Sequence, residues 1–160
     1  MLAVVVAGAL CVIALAAPAL AALPLKTAWS NPFSCASTSS LGRQLIANPP
    51  RMTSVAGGWE KVYWSPDLYR WNVSTQTWQL YDGTKPWYRA VVYGDGTIHY
   101  DTAAGASWFN NETNQGIKYV PFNNLPSGSY KVLNYYQWAD GTKARGWSNY
   151  NLGGSYCTFR

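Results

Sequence analysis

Three Asp-Gly-Thr tripeptides, Asp82–Thr84, Asp95–Thr97 and Asp140–Thr142, stand between runs of aromatic and β-branched residues. Asp tolerates tight-turn geometry and Gly reaches positive φ at no steric cost, so each tripeptide marks a chain reversal. Reversals this close together leave room for short strands and little else. The runs between them are rich in Trp, Tyr, Val and Thr and carry no helical periodicity, which predicts an all-β, antiparallel domain. Candidate strands are Lys61–Trp64, Asp67–Trp71, Thr77–Tyr81, Trp87–Tyr93, Thr97–Tyr100, Ile117–Pro121, Ser129–Trp138 and Thr142–Leu152. The tripeptides are unequally spaced, so they are repeated turn chemistry and not an internal repeat.

A chain of 160 residues suffices for one domain with one core. Residues 2–25 carry no charge and are mostly Ala, Val and Leu. Ala19-Leu20-Ala21 satisfies the small-x-small rule for signal peptidase, so 1–21 reads as a signal peptide. No Lys or Arg precedes the apolar run, and the run is long enough to span a bilayer, so the alternative is a retained N-terminal anchor. Membrane contact is expected only through residues 2–25, and only if they are uncleaved. Residues 22–54 read as a Ser/Pro/Asn-rich, loosely structured arm, and 55–160 as the β-domain. Either way the domain is expected to be extracellular or in the cell envelope.

Cysteine usage agrees with that compartment. Cys11 lies in the apolar segment, leaving Cys35 and Cys157 near the two ends of the mature chain. Two thiols in an oxidising compartment most simply pair with each other, the alternatives being free thiols or an intermolecular bridge. The chain-entropy account gives a loop of that size about 4 kcal/mol of stabilisation. Two isolated cysteines do not make a structural zinc site. No metal and no cofactor is expected.

The net charge is +5, with 12% of residues charged. A mildly basic surface could favour anionic partners such as wall polymers, lipid head groups or nucleic acid, but the plainer and preferred reading is a soluble secreted domain with no such partner. No Lys/Arg run marks a nucleic-acid stripe, so no specific nucleic-acid partner is expected.

The most specific local signal is Leu125-Pro-Ser-Gly-Ser-Tyr-Lys-Val132. Leu-x-x-Gly-x-Tyr-x-Val resembles the tyrosine corner before strand F of fibronectin type III and immunoglobulin-like β-sandwiches. In that motif the Tyr hydroxyl bonds back to upstream backbone as the chain crosses between sheets. The resemblance implies an antiparallel immunoglobulin/fibronectin-like sandwich and implies nothing about function. Asn134 stands two residues after Val132, and the two mature cysteines are terminal, so the inter-sheet disulfide of true immunoglobulin domains is absent.

The corner orients the hairpin that follows it. With Tyr130 and Val132 inward, period two turns Asn134, Tyr136 and Trp138 inward and Lys131, Leu133, Tyr135 and Gln137 outward. A two-residue loop at Asp140-Gly141 would turn Lys143 and Arg145 toward the core, where an unpaired charge is costly. A three-residue loop, Ala139-Asp140-Gly141, places Gly in the αL position of a G1 bulge. It pairs Trp138 with Thr142, points Ala144, Gly146, Ser148, Tyr150 and Leu152 inward, and sends Lys143, Arg145 and Trp147 to solvent. The preferred register therefore sets Tyr135 opposite Arg145, Gln137 opposite Lys143 and Leu133 opposite Trp147, with Arg145 able to lie over the Tyr135 ring. Tyr135, Gln137, Lys143, Arg145 and Trp147 form the candidate ligand-binding face. The simpler alternative is a cross-strand ladder that stabilises the hairpin alone.

Catalytic signatures are sparse. His99 is the one histidine, no G-x-S-x-G elbow occurs, and His99 reads as an ordinary strand residue. Walker, dinucleotide, EF-hand and H-E-x-x-H motifs are missing. The acids of the Asp-Gly turns have a local role, Asp67 after Pro66 reads as a turn former, and although a glycosidase could use a cross-sheet acid pair such as Glu60 and Glu112, nothing in the sequence points to one. Asn72-Val73-Ser74 and Asn111-Glu112-Thr113 match the glycosylation sequon. Nine Trp and twelve Tyr exceed what one core can hold, and Trp71 and Trp78 flank a polar turn as a second aromatic pair. The expected function is non-catalytic binding of a carbohydrate or cell-wall polymer. A structural or protein-interaction domain with a protein partner is the alternative, and a small secreted hydrolase the third reading.

Overall fold

The computed structural model describes residues 26–54, 58–93, 97 and 106–160. The export segment, the turn at Asp95, His99 and Asp101 lie outside the described residues, as does most of the strand expected at Thr97–Tyr100.

The described chain is all-β, and its paired strands are antiparallel. In chain order the strands are β1 (Ala28–Trp29), β2 (Ser34–Thr38), β3 (Gly42–Ala47), β4 (Arg51–Met52), β5 (Trp59–Asn72), β6 (Thr77–Asp82) and β7 (Tyr88–Tyr93). They continue as β8 (Trp108–Asn110), β9 (Gly116–Ile117), β10 (Val120–Phe122), β11 (Gly128–Trp138), β12 (Lys143–Trp147) and β13 (Cys157–Phe159). The large sheet runs β12-β11-β5-β7-β8-β9, with β13 beside β11 and β6 beside β5; a small sheet runs β10-β3-β2, and β1 pairs with β4. Leu45, Ala47, Val120 and Phe122 of the small sheet share one core with Val62, Trp64, Leu68, Val132 and Trp138 of the large one. Both sheets bury alternate residues into that common core, as a sandwich requires.

Residues 26–54 are not a loose arm. They supply β1 to β4 and bury Phe33, Leu45, Ala47 and Met52 almost completely. The Pro and Asn punctuation that suggested a loop falls between these short strands. The expected strands Lys61–Trp64 and Asp67–Trp71 are one strand, β5, and Asp67 is within it rather than in a turn. Pro66 sits where β5 exchanges β7, paired over Trp59–Trp64, for β6, paired over Leu68–Asn72. A residue without an N–H costs least where one side of the strand has no ladder. The run expected at Ile117–Pro121 divides into β9 in the large sheet and β10 in the small one. Strand β12 stops at Trp147; beyond it Ser148 is buried as expected but Leu152 is 80% exposed, and within it Ala144 is exposed.

The corner before β11 is built as its residues suggest. Tyr130 is fully buried, and its hydroxyl donates to the Pro126 carbonyl at 2.9 Å. Gly128, at φ 152°, lets Arg70 cross the backbone and donate to the Ser127 carbonyl at 2.6 Å; a Cβ there would fall 2.8 Å from Arg70 Nε. Cys35 on β2 and Cys157 on β13 form the disulfide, tying the small sheet to the edge of the large one.

A buried polar network lies behind β11. Trp64 Nε1 donates to Asn134 Oδ1 at 2.7 Å, and Asn134 Nδ2 donates to Ser148 Oγ at 2.7 Å and Ser30 Oγ at 3.1 Å. Ser30 in turn bonds the Tyr136 hydroxyl, which burial pushes up to about 12 against the lowering effect of the Ser30 bond. Asn134 thus holds β5, the segment after β12 and the β1–β2 connection to β11.

Candidate functional site

The β11–β12 hairpin is closed by side-chain and backbone chemistry together. Asp140 Oδ1 accepts from the Thr142 N–H at 2.9 Å, Gly141 takes φ 87°, and Trp138 N–H donates to the Thr142 carbonyl at 2.9 Å. The loop is the three-residue one, and the pairs are Leu133–Trp147, Tyr135–Arg145 and Gln137–Lys143. Lys143, Arg145 and Trp147 are exposed, Tyr135 and Gln137 are half-buried, and Leu133 is covered. The candidate residues are therefore brought to one face.

Asp140 has a second role that its turn position concealed. Its Oδ2 lies 2.6 Å from Lys26 Nζ, which also meets the Glu60 carboxylate at 2.8 Å. The Lys26 bond, followed by those from Thr142, holds the Asp140 carboxyl down at about 2. Glu60 also accepts from Ser54 Oγ at 2.9 Å. Its carboxylate is engaged in tying the hairpin tip to β1 and β5, while Glu112 lies in the turn after β8, where its N–H donates to Asn110 Oδ1.

The outer face extends beyond the hairpin. Strand register places Lys131 against Tyr69, Leu133 against Asp67, Tyr135 against Ser65 and Gln137 against Tyr63. Across β5, Tyr69 pairs with Leu80 and Trp71 with Trp78. Tyr69 meets Trp147 edge-on at 5.1 Å, Trp71 meets Trp78 at 5.4 Å, and Trp78 meets Tyr156 at 5.6 Å. Lys131 joins these groups: its ammonium lies 3.6 Å from the Trp147 ring centre and 4.5 Å from that of Trp78. The cation over an aromatic face is thus Lys131 on an indole, not Arg145 on Tyr135. The Tyr69 hydroxyl is raised by burial first and by neighbouring Tyr135 second.

Beside Lys131 the surface dips into a cleft of about 330 Å³ lined by Trp71, Trp78, Ser129, Ser155 and Tyr156. Two serine hydroxyls among three aromatic rings combine hydrogen bonding with flat apolar walls, the composition of a small-molecule subsite. Lys131, Tyr69, Trp71, Trp78 and Tyr156 were not among the residues chosen from the hairpin alone. The outward parity of Lys131 and the Trp71/Trp78 pair were the available signals; the register of β5 against β11 was what joined them.

Asp67 is the carboxylate of this face. Burial, and then the charge of nearby Asp82, raise its pKa. Asp82 itself is held by the Thr84 backbone and hydroxyl. Among the described residues no group of three His, Cys, Asp or Glu side chains converges as a metal site. No protein family, curated protein or solved structure matches this chain.

Proposed function

We propose that the chain is a secreted or envelope-bound, non-catalytic binding domain whose outer sheet face takes a carbohydrate or cell-envelope polymer. The observation that carries this reading is the continuous group Trp147, Lys131, Trp78, Trp71 and Tyr156, the last three lining a cleft with two serines. Flat indole and phenol faces stack on sugar rings, and neighbouring hydroxyls and amides fix their orientation. The Cys35–Cys157 bridge suits an oxidising compartment. An immunoglobulin/fibronectin-like topology is supported by the Tyr130–Pro126 bond at the corner.

The experiment is retention of the purified protein on a panel of insoluble polysaccharides and cell-wall material. The reading requires retention on at least one member and its loss on Trp147→Ala.

One observation favours the second reading, a protein-interaction domain. Trp59, 62% exposed, pairs across the ladder with exposed Tyr93 at the far end of the same sheet. An exposed aromatic pair of this kind suits an anchor in a protein interface. Under that reading Trp59→Ala, not Trp147→Ala, abolishes partner co-purification or self-association.

A further inference from the structure

We propose that the polymer taken by the outer face is an acidic polysaccharide bearing carboxylates, and that Lys131 selects for its charge. This rests on the carbohydrate-binding reading above and goes on to assign the ligand's chemical class.

Lys131 is an ammonium between two indoles. Its neighbours Trp78 and Trp147 supply flat apolar walls but no formal negative charge. The three ion pairs formed among the described residues use Lys26 and Lys85 as their cations, so Lys131 has no carboxylate partner there. Burial lowers its pKa, the mark of a charge that has lost water without gaining a counter-ion. A ligand that stacks on the indoles and presents a carboxylate supplies that counter-ion in a partly dry setting, where an ion pair is stronger than in open water.

The charge continues along the same face. Arg145 and Lys143 stand opposite Tyr135 and Gln137, and neither has an ion-pair partner among the described residues. From the Lys131 position to that of Gln137 is six residues of strand, roughly 20 Å at about 3.3 Å per residue. Cations therefore recur along the length of β11–β12, with Trp147 among them and Asp67 as the opposing carboxylate. A face of this kind fits an extended polymer with repeated negative charge better than a single neutral sugar. The net charge of +5 acts in the same direction at longer range.

The test measures binding of the purified protein to polygalacturonate and alginate, to cellulose and xylan, to polyphosphate and to single-stranded DNA, at low and high salt. We expect at least about tenfold tighter binding to the polyuronates than to the neutral chains, weakening as salt rises. Lys131→Met, which keeps the apolar stem, should remove most of that preference while leaving the melting temperature near wild type; Lys131→Arg should retain it. Equal affinity for acidic and neutral glycans, or a preference unchanged in Lys131→Met, overturns the assignment even though glycan binding stands. Tighter binding to polyphosphate or DNA than to any polyuronate also overturns it. Failure to bind any glycan overturns the underlying reading as well.

Discussion

The Lys131 ammonium rests 3.6 Å from the ring centre of Trp147, and the same indole meets Tyr69 edge-on at 5.1 Å. Trp147 is nevertheless 43% exposed. One face of the ring is committed to the protein, which fixes its orientation, and the rest is open to solvent. A ring held this way can stack on a ligand with little further loss of rotamer freedom.

Trp147→Ala should therefore separate binding from stability. Loss of an exposed cation–π contact costs about 0.5–1 kcal/mol, so chemical denaturation should show a small change. Glycan affinity should fall by at least about tenfold, equivalent to about 1.4 kcal/mol. A large loss of stability with unaltered binding would assign Trp147 to the hairpin ladder alone.

The Cys35–Cys157 bridge closes a sequence separation of 122 residues. Paired replacement of both cysteines by serine should cost about 4 kcal/mol, chiefly by freeing the unfolded chain. Urea unfolding with and without reductant checks this: the wild type should lose a comparable amount on reduction, and the double variant should not respond to reductant.

Asn134 is the centre of the buried network, bonded to Trp64, Ser148 and Ser30. Asn134→Ala leaves the Trp64 N–H and the Ser148 hydroxyl without that partner in the interior. A buried unsatisfied polar group costs about 1–3 kcal/mol, so the variant should lose about 2–4 kcal/mol in urea unfolding. A loss under about 1 kcal/mol would mean that water or rearrangement replaces the amide.

The Lys26–Asp140 contact gives the acid limb of stability a specific source. The Asp140 carboxyl is depressed from 3.8 to about 2 by the Lys26 bond first and the Thr142 bonds second. A depressed folded-state value means the contribution is present above about pH 4 and is lost as pH falls toward 2. Lys26 is raised above 10.5: burial opposes the shift, but the bonds to Asp140 and Glu60 outweigh it. Its contribution is accordingly present below 10.5 and lost as pH rises above it through the raised folded-state value. Asp140→Asn should flatten the stability–pH curve between pH 4 and 2, read from melting temperatures across that range. An unchanged slope would remove Asp140 as the source.

Local chemistry made part of this fold legible. The Asp140-Gly141 turn, and the cost of burying Lys143 and Arg145, select the hairpin register, and the register places the candidate face. The corner at Tyr130 is readable because its Gly and Tyr act within a few residues of each other. What sequence did not disclose depends on distant partners. Leu45 becomes a core residue when β10 is laid beside it, Phe33 when Tyr150 stacks on it and Met52 when β1 pairs with its strand, so their segment reads as a loop. Pro66 suggested a break because the change of partner along β5 is invisible locally. Lys131 was readable as outward-facing, but its indole neighbours arrive from β6 and β12. Alternation alone turns Leu152 inward, but the last paired residue of β12 is Trp147 and Leu152 lies beyond it in solvent.

The central claim, that the Trp147–Lys131–Trp78 face binds a glycan, is tested most directly by polysaccharide retention of the wild-type protein beside Trp147→Ala and Trp78→Ala. The expected result is retention of the wild type on at least one polysaccharide, with both variants folded and released. Absence of retention on every polysaccharide, or wild-type retention by both folded variants, would contradict it.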